Sequence, residues 1–320
     1  MNIMGSILVT GAGGYLAHYT IRALRSDPGL AGAQILGLVR SDRQAARLTA
    51  LGVRPIIGDV TRPETLGPAM HGVDRIVHLA AVNRDKGAVT MEAVNALGTI
   101  NVVEAAKAAG VKHIVTVVGL GADSKRPFPL ASTQGRGVDH LIGSGIVYTV
   151  LESSVIFGAG DEFLNTFAGL ARVPPIMVVP GNGRTRFQPI AASDVATCAA
   201  RALSLPAARN SRLQICGSEV LTLEQIIDLI LAEMRLKRIK LHMPAPLLRI
   251  AVGLMDVLLP KPPVTPSLLA QLGDDNVATD NATEKVFGVK PAKLRDGIGF
   301  VRDMTLGKLV SRSLGNAEYR

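Results

Sequence analysis

The sequence predicts an α/β fold: a doubly wound parallel sheet followed by a smaller, interleaved C-terminal region. Three observations carry that reading. Short β-branched runs alternate with stretches of helical apolar spacing, the alternation ends near Gly158, and the first strand runs into glycines that open a helix.

The strands expected in order are SILVT from Ser6, QILGLV from Gln34, RPIIG from Arg54, RIVHLA from Arg75, HIVTVV from His113 and VYTVLESS from Val147. Continuous apolar runs of this length suit strands covered on both faces. Between them, LAHYTIRALR, RQAARLTAL, PETLGPAMH, EAVNALGTINVVEAAKAAG and GRGVDHLIG repeat apolar residues at helical spacing. Such alternation requires right-handed crossovers. It makes residues 1–158 a complete dinucleotide-binding unit and leaves 159–320 as the smaller region, with about 190–205 packing back on the first.

In that smaller region prolines and glycines punctuate the chain. A helix is expected from Ser193, which would cap it, and Thr222 with Gln225 forms a capping box ahead of LEQIIDLILAEM. Between Pro244 and Pro266 lies a short apolar helix, preceded by Arg235, Lys237, Arg238 and Lys240. Core packing is the plainer account of it, and a peripheral membrane or partner contact the sharper one. The stretch Leu247 to Leu259 is interrupted by Arg249 and Asp256, too short and too charged to span a bilayer.

The chain has 320 residues, a formal charge of +9 and 48% hydrophobic content, enough for a large core and suited to an anionic partner. Aromatic residues make up only 3% and Trp is absent, so the stacking platforms of nucleic-acid binding are lacking and no nucleic acid is expected. Cys198 and Cys216 stand in apolar runs without metal-ligand spacing and read as buried free thiols. The histidines lack i, i+4 pairing, so no metal site is expected. With no leader pattern at the start, the expected location is cytoplasmic, with a peripheral seat on the inner face of a membrane as the variant.

The run Thr10-Gly11-Ala12-Gly13-Gly14-Tyr15-Leu16-Ala17 has the strand-then-helix context that a phosphate-binding loop needs. Gly11 permits the tight turn, Gly14 the approach of backbone N–H groups to a pyrophosphate, and Ala17 close helix packing. Arg40 ends the second strand where an acid would select NAD(H), so NADP(H) is favoured and NAD(H) is the second option; nearby Asp42 keeps it open. Asp59 and Val60 follow strand three, where a carboxylate would accept from the adenine amino group, and Ala80 and Ala81 let the chain pass near the cofactor. The expected cofactor-binding set is Gly11, Gly13, Gly14, Tyr15, Leu16, Arg40, Asp59, Val60, Ala80, Ala81, Asn95, Val118 and Ser153.

TGAGGYLA, the GDV after strand three, HLAA after strand four and the Asn95, Gly98, Thr99, Asn101 series together resemble an atypical or extended short-chain dehydrogenase/reductase, of the NAD-dependent epimerase/dehydratase type with a Rossmann sheet. Further on, Ile156-Phe157-Gly158, Asp161, Phe163-Leu164-Asn165, Gln188-Pro189-Ile190, Asp194-Val195 and Leu272-Gly273-Asp274-Asp275-Asn276 are similar to the branch containing the nucleotide-binding accessory subunit of respiratory complex I. The resemblance implies a dinucleotide cofactor and, for that branch, a protein complex as partner.

It also implies a Tyr and a Lys four residues apart on one helix, with a Ser at the end of strand five. One helix face then sets the ammonium beside the phenol and lowers its pKa. Here Leu130, Gln134 and Val118 occupy those places, and no tyrosine is followed by Lys at the fourth residue. Ser132, Thr133 and Ser154 offer hydroxyls without a base. Glu152 is the one candidate acid–base residue, on the condition that burial raises its pKa. Two functions follow: an accessory binding protein, or an oxidoreductase or epimerase with a noncanonical acid.

Overall fold

The computed structural model describes residues 5–258, 264, 269 and 272–313. Tyr319 and the prolines of 260–263 and 266 lie outside them. The runs rich in Val, Ile and Leu form buried strands: β1 (Ser6–Thr10), β2 (Ile35–Val39), β3 (Arg54–Ile57), β4 (Val73–His78), β5 (His113–Gly119) and β6 (Val147–Ser153). Between them lie α1 (Tyr15–Ser26), α2 (Asp42–Ala50), α3 (Leu66–Ala69), α4 (Gly98–Ala108, entered through a π-helical turn over Glu92–Leu97) and α5 (Pro129–Gly143). Beyond β6 the chain continues through β7 (Ile156–Phe157), α6 (Phe163–Ala171), β8 (Ile176–Pro180), β9 (Arg186–Phe187), β10 (Ile190–Ala191), α7 (Ala192–Ala202), β11 (Ser211–Ile215), β12 (Leu221–Thr222), α8 (Leu223–Glu233), β13 (Ile239–Met243) and α9 (Ala245–Leu258).

Seven parallel strands build the main sheet in the order β11-β6-β5-β4-β1-β2-β3. The order reverses at β1, and in such sheets ligands bind beyond the carboxyl ends of the strands at that reversal. One core fills a face of this sheet, with Leu8, Ile76, Ile114 and Val150 from the strands against Val102, Val103, Val138 and Leu141 from α4 and α5.

The chain divides into two units. The first comprises Met1–Ser153, Ala192–Ile215 and Asp280–Lys290; the second comprises Ser154–Ala191, Cys216–Thr279 and Pro291–Arg320. The division thus falls at Ser153 rather than at the expected 158, and two later segments return to the first unit. α7 packs on α1, and β11 pairs with β6 as the sheet's edge. That seventh strand has no counterpart among the runs picked from sequence.

In the second unit α8 buries Leu223, Ile226, Ile227, Ile230 and Leu231, one helical face, into a core shared with α6, β8 and residues 294–304. The capping box is formed: Gln225 N donates to Thr222 Oγ1 at 3.2 Å and Thr222 N to Gln225 Oε1 at 2.8 Å. Ser193 is not the cap of α7, because the helix already begins at Ala192 and places it inside the first turn.

Candidate functional site

Gly11 has φ +63°, and a Cβ there would lie 2.8 Å from Ala80 N, so the turn after β1 and the end of β4 touch backbone to backbone. Only glycine meets both conditions without strain. Gly14 N donates to Gly11 O at 2.8 Å and precedes the first turn of α1, where Tyr15 and Leu16 stand. The N–H groups of a helix's first turn, at the positive end of its dipole, attract an anion. Gly13 lies against Gln44, since an added Cβ would meet Gln44 Nε2 at 2.6 Å. Gln44 in turn accepts from Arg40 N at 3.0 Å and donates its own N–H to the Ser41 cap of α2 at 3.4 Å. The backbone of exposed Arg40 is thereby tied to the residue that lies against the glycine loop, just before α2.

Asp59 Oδ1 accepts from Thr61 N and Thr61 Oγ1, both at 2.9 Å, which closes a tight turn after β3. Val60 is buried next to Gly98, where a Cβ would come within 2.8 Å of Val60 Cγ2, and Asn101 Nδ2 donates to Val60 O at 2.9 Å. Gly98 and Asn101 therefore fix the Asp59 turn from α4.

Asn95 is turned toward the chain rather than outward. Its Oδ1 accepts from Val82 N and its Nδ2 donates to Val82 O, both at 2.8 Å, so it shapes the loop of Ala80 and Ala81. Nδ2 also donates to Thr133 Oγ1 of α5 at 3.4 Å, so Asn95 ties that loop to α5.

Behind this loop is a chain of hydrogen bonds that the sequence did not reveal. Leu79 N donates to Thr10 Oγ1 at 3.2 Å, and Thr10 Oγ1 meets His78 Nδ1 at 2.7 Å. On the other side His78 Nε2 meets Thr99 Oγ1 at 3.0 Å, and Thr99 Oγ1 donates to Asn95 O at 2.7 Å. Each hydroxyl has one proton. Thr99 has given its proton to Asn95 O, so His78 donates from Nε2 and accepts at Nδ1. Burial pushes the His78 imidazole down to about 4, which keeps it neutral. The bonds join β1, β4 and α4 beneath the glycine loop. Partners 68 and 21 residues away in sequence explain why the motif HLAA gave no sign of them.

At the end of β5, Val118 is buried and Gly119 N donates to Gln134 Oε1 at 3.0 Å. Gln134 thus ties α5 to the strand end. Leu130 lies one turn earlier on α5. Ser132 Oγ and Thr133 Oγ1 donate to Pro129 O at 3.3 and 2.7 Å, within their own helix. Ser153 Oγ donates to Val118 O at 3.4 Å.

Glu152, only 6% exposed, is not a lone buried carboxylate. Arg212 of β11 donates to its Oε1 from Nε at 2.7 Å and from Nη2, and also to Ala122 O at 2.8 Å. The base expected at Glu152 needs a carboxylate free of a cation, and here the Arg212 guanidinium is paired with it. It came from the strand missing in the sequence reading.

His18 beside the glycine loop has its pKa lowered by burial and then by Arg22. Cys198 and Cys216 are both buried, and burial pushes their thiols up to about 12 and about 11. Among the described residues no three His, Cys, Asp or Glu side chains are grouped to hold a metal, and no helix is long and apolar enough to cross a membrane.

Residues 11–156 match the family model described as NAD(P)H-binding. The NAD(P)H azoreductase of Xenophilus azovorans is 29% identical over 217 residues, covering 68% of this chain and 69% of that protein. The photosystem II assembly factor Ycf39 of Guillardia theta is 29% identical over 224 residues, 70% of this chain and 68% of its own. Among solved structures, the Escherichia coli NADPH-dependent quinone oxidoreductase complexed with NADPH superposes with a TM-score of 0.73 at 24% identity, covering 91% of this chain and 98% of that one. The fold is that of the atypical, epimerase/dehydratase-like short-chain dehydrogenases/reductases.

Proposed function

We propose that this chain, with an atypical short-chain dehydrogenase/reductase fold, is an NADP(H)-binding accessory protein that lacks the usual proton relay. The observation that carries the reading is Gln134. An amide bonded to Gly119 N stands where the relay needs an ammonium, and Leu130 where it needs a phenol. Neither side chain exchanges a proton at neutral pH. The pyrophosphate is assigned to the loop from Gly11 to Leu16, the 2′-phosphate to Arg40, and the adenine amino group to Asp59. Arg suits a phosphate through paired N–H donors, and the solved quinone oxidoreductase holds NADPH. The resemblance of 156–194 and 272–276 to a respiratory-complex subunit, and an assembly factor among the relatives, support a protein complex as partner.

A second reading rests on the azoreductase and the quinone oxidoreductase. Hydride addition to a quinone leaves a stabilised phenolate-like oxygen, far less basic than the alkoxide from a simple ketone. Such an acceptor draws its protons from water and needs no residue acid.

Nicotinamide absorbance with NADPH and ketones, aldehydes, a quinone or an azo dye separates the two. The accessory reading predicts no turnover with any of them, and turnover confined to the quinone or dye supports the second. Ketone reduction that Glu152→Gln abolishes and Ser132→Ala leaves intact contradicts both.

A further inference from the structure

The outer side of α9 carries a row of bare aliphatic side chains. Leu247, Ile250, Leu254 and Val257, spaced three, four and three residues apart, lie along one helix face and are 59%, 72%, 62% and 84% exposed. The opposite side of the same helix is already used, with Val252 and Leu248 packed in the core of the second unit. A helix that is apolar on two sides needs two apolar neighbours, and the described residues provide one.

The strand before it repeats the pattern. In β13, Lys240 and His242 turn to α8, where Lys240 pairs with Glu224 and Asp228 and His242 with Glu224. Alternation then sends Ile239 and Leu241 to the other face, where both are exposed. Exposed Ile176 of β8 lies in register with Ile239. Polar side chains face the protein and apolar ones face out, the reverse of an ordinary surface sheet.

Charge decides what covers this face. From 235 to 258 the chain carries Arg235, Lys237, Arg238, Lys240 and Arg249 against a single acidic residue, Asp256. Lys240 is neutralised by α8 and Arg238 donates to Ala171 O, whereas Arg235, Lys237 and Arg249 are exposed. A second copy docked by a two-fold would bring these cations against themselves. Protein interfaces concentrate their energy in large aromatic anchors, and 235–258 contains no Phe, Tyr or Trp. An anionic bilayer fits both features, its acyl boundary taking the aliphatic row and its phosphates the cations.

We propose that the outer side of α9 rests on an anionic phospholipid membrane, through Leu247, Ile250, Leu254 and Val257 in the acyl boundary, with Arg249 of the same helix and Arg235 and Lys237 shortly before it in the chain at the headgroups. This contact is independent of the nucleotide site.

The test is flotation of the full chain with phosphatidylglycerol-containing or pure phosphatidylcholine vesicles, at low and high salt. The expected result is binding to the anionic vesicles that salt weakens and that phosphatidylcholine does not reproduce. Ile250→Glu with Leu254→Glu lowers it on the order of a hundredfold, and Lys237→Gln with Arg249→Gln roughly tenfold. Both sites are exposed, so the thermal midpoint of each double variant stays that of the parent. Four results overturn the proposal: no binding to anionic vesicles, equal binding to both kinds, full binding by the Ile250/Leu254 variant, or a parent dimer that this variant splits in sedimentation.

Discussion

At position 134 the proposed function rests on one amide, and that amide also has a structural task, since Gln134 ties α5 to Gly119 at the end of β5. His78 has a structural task as well. Its neutral ring links Thr10 to Thr99, and His113, bonded to Thr149 at 3.0 Å, is held near 4 by burial and by Arg209 and Arg75. Both imidazoles are depressed below the ordinary 6.5 they regain on unfolding. The unfolded chain therefore binds more protons between about 4 and 6.5, so the stability they give is complete above 6.5 and lost as pH falls toward 4. The loss is on the order of 3 kcal/mol for each ring at its fullest. Urea midpoints measured across that range should fall with acid, and His78→Gln should flatten about half of the slope; an unchanged slope would mean that other groups titrate.

Elements differ in how plainly the sequence announces them. The first six strands are legible because short continuous Val, Ile and Leu runs between helical patterns suit strands covered on both faces, and the glycine loop because strand, turn and helix agree. β11 was not legible. Its residues SRLQI are mostly half-buried at the sheet edge, so no apolar run marks it, and with it went the Arg212 partner of Glu152. α5 shows helical apolar spacing in the sequence only from Gly135, although it begins at Pro129. Gly135 matters for contact rather than for turning: a Cβ there would lie 2.2 Å from Ser124 N and 2.3 Å from Asp123 C, so the loop after β5 lies directly on the helix. Gly135→Ala should cost about 1–3 kcal/mol in urea unfolding. A change within a few tenths would mean that the loop yields freely.

For the molecule as a whole, the glycine loop and the exposed aliphatic row of α9 fall in different units. The first unit gathers the glycine loop, Arg40 and the Asp59 turn at the carboxyl ends of its strands, and the second bears the exposed row of α9. Composition foretold a basic chain with a large core. It did not tell the outer face of α9 from a buried one, since apolar spacing looks the same on either side of a helix. The reading of the molecule as a nucleotide binder stands on its discrimination between two cofactors that differ by one phosphate. The most direct measurement is equilibrium binding of NADPH and NADH to the parent and to Arg40→Ala. The account predicts tighter binding of NADPH by the parent, with Arg40→Ala weakening NADPH on the order of 10- to 100-fold and leaving NADH nearly unchanged. NADH bound as tightly as NADPH by the parent, or an Arg40→Ala variant that keeps the preference, would contradict it.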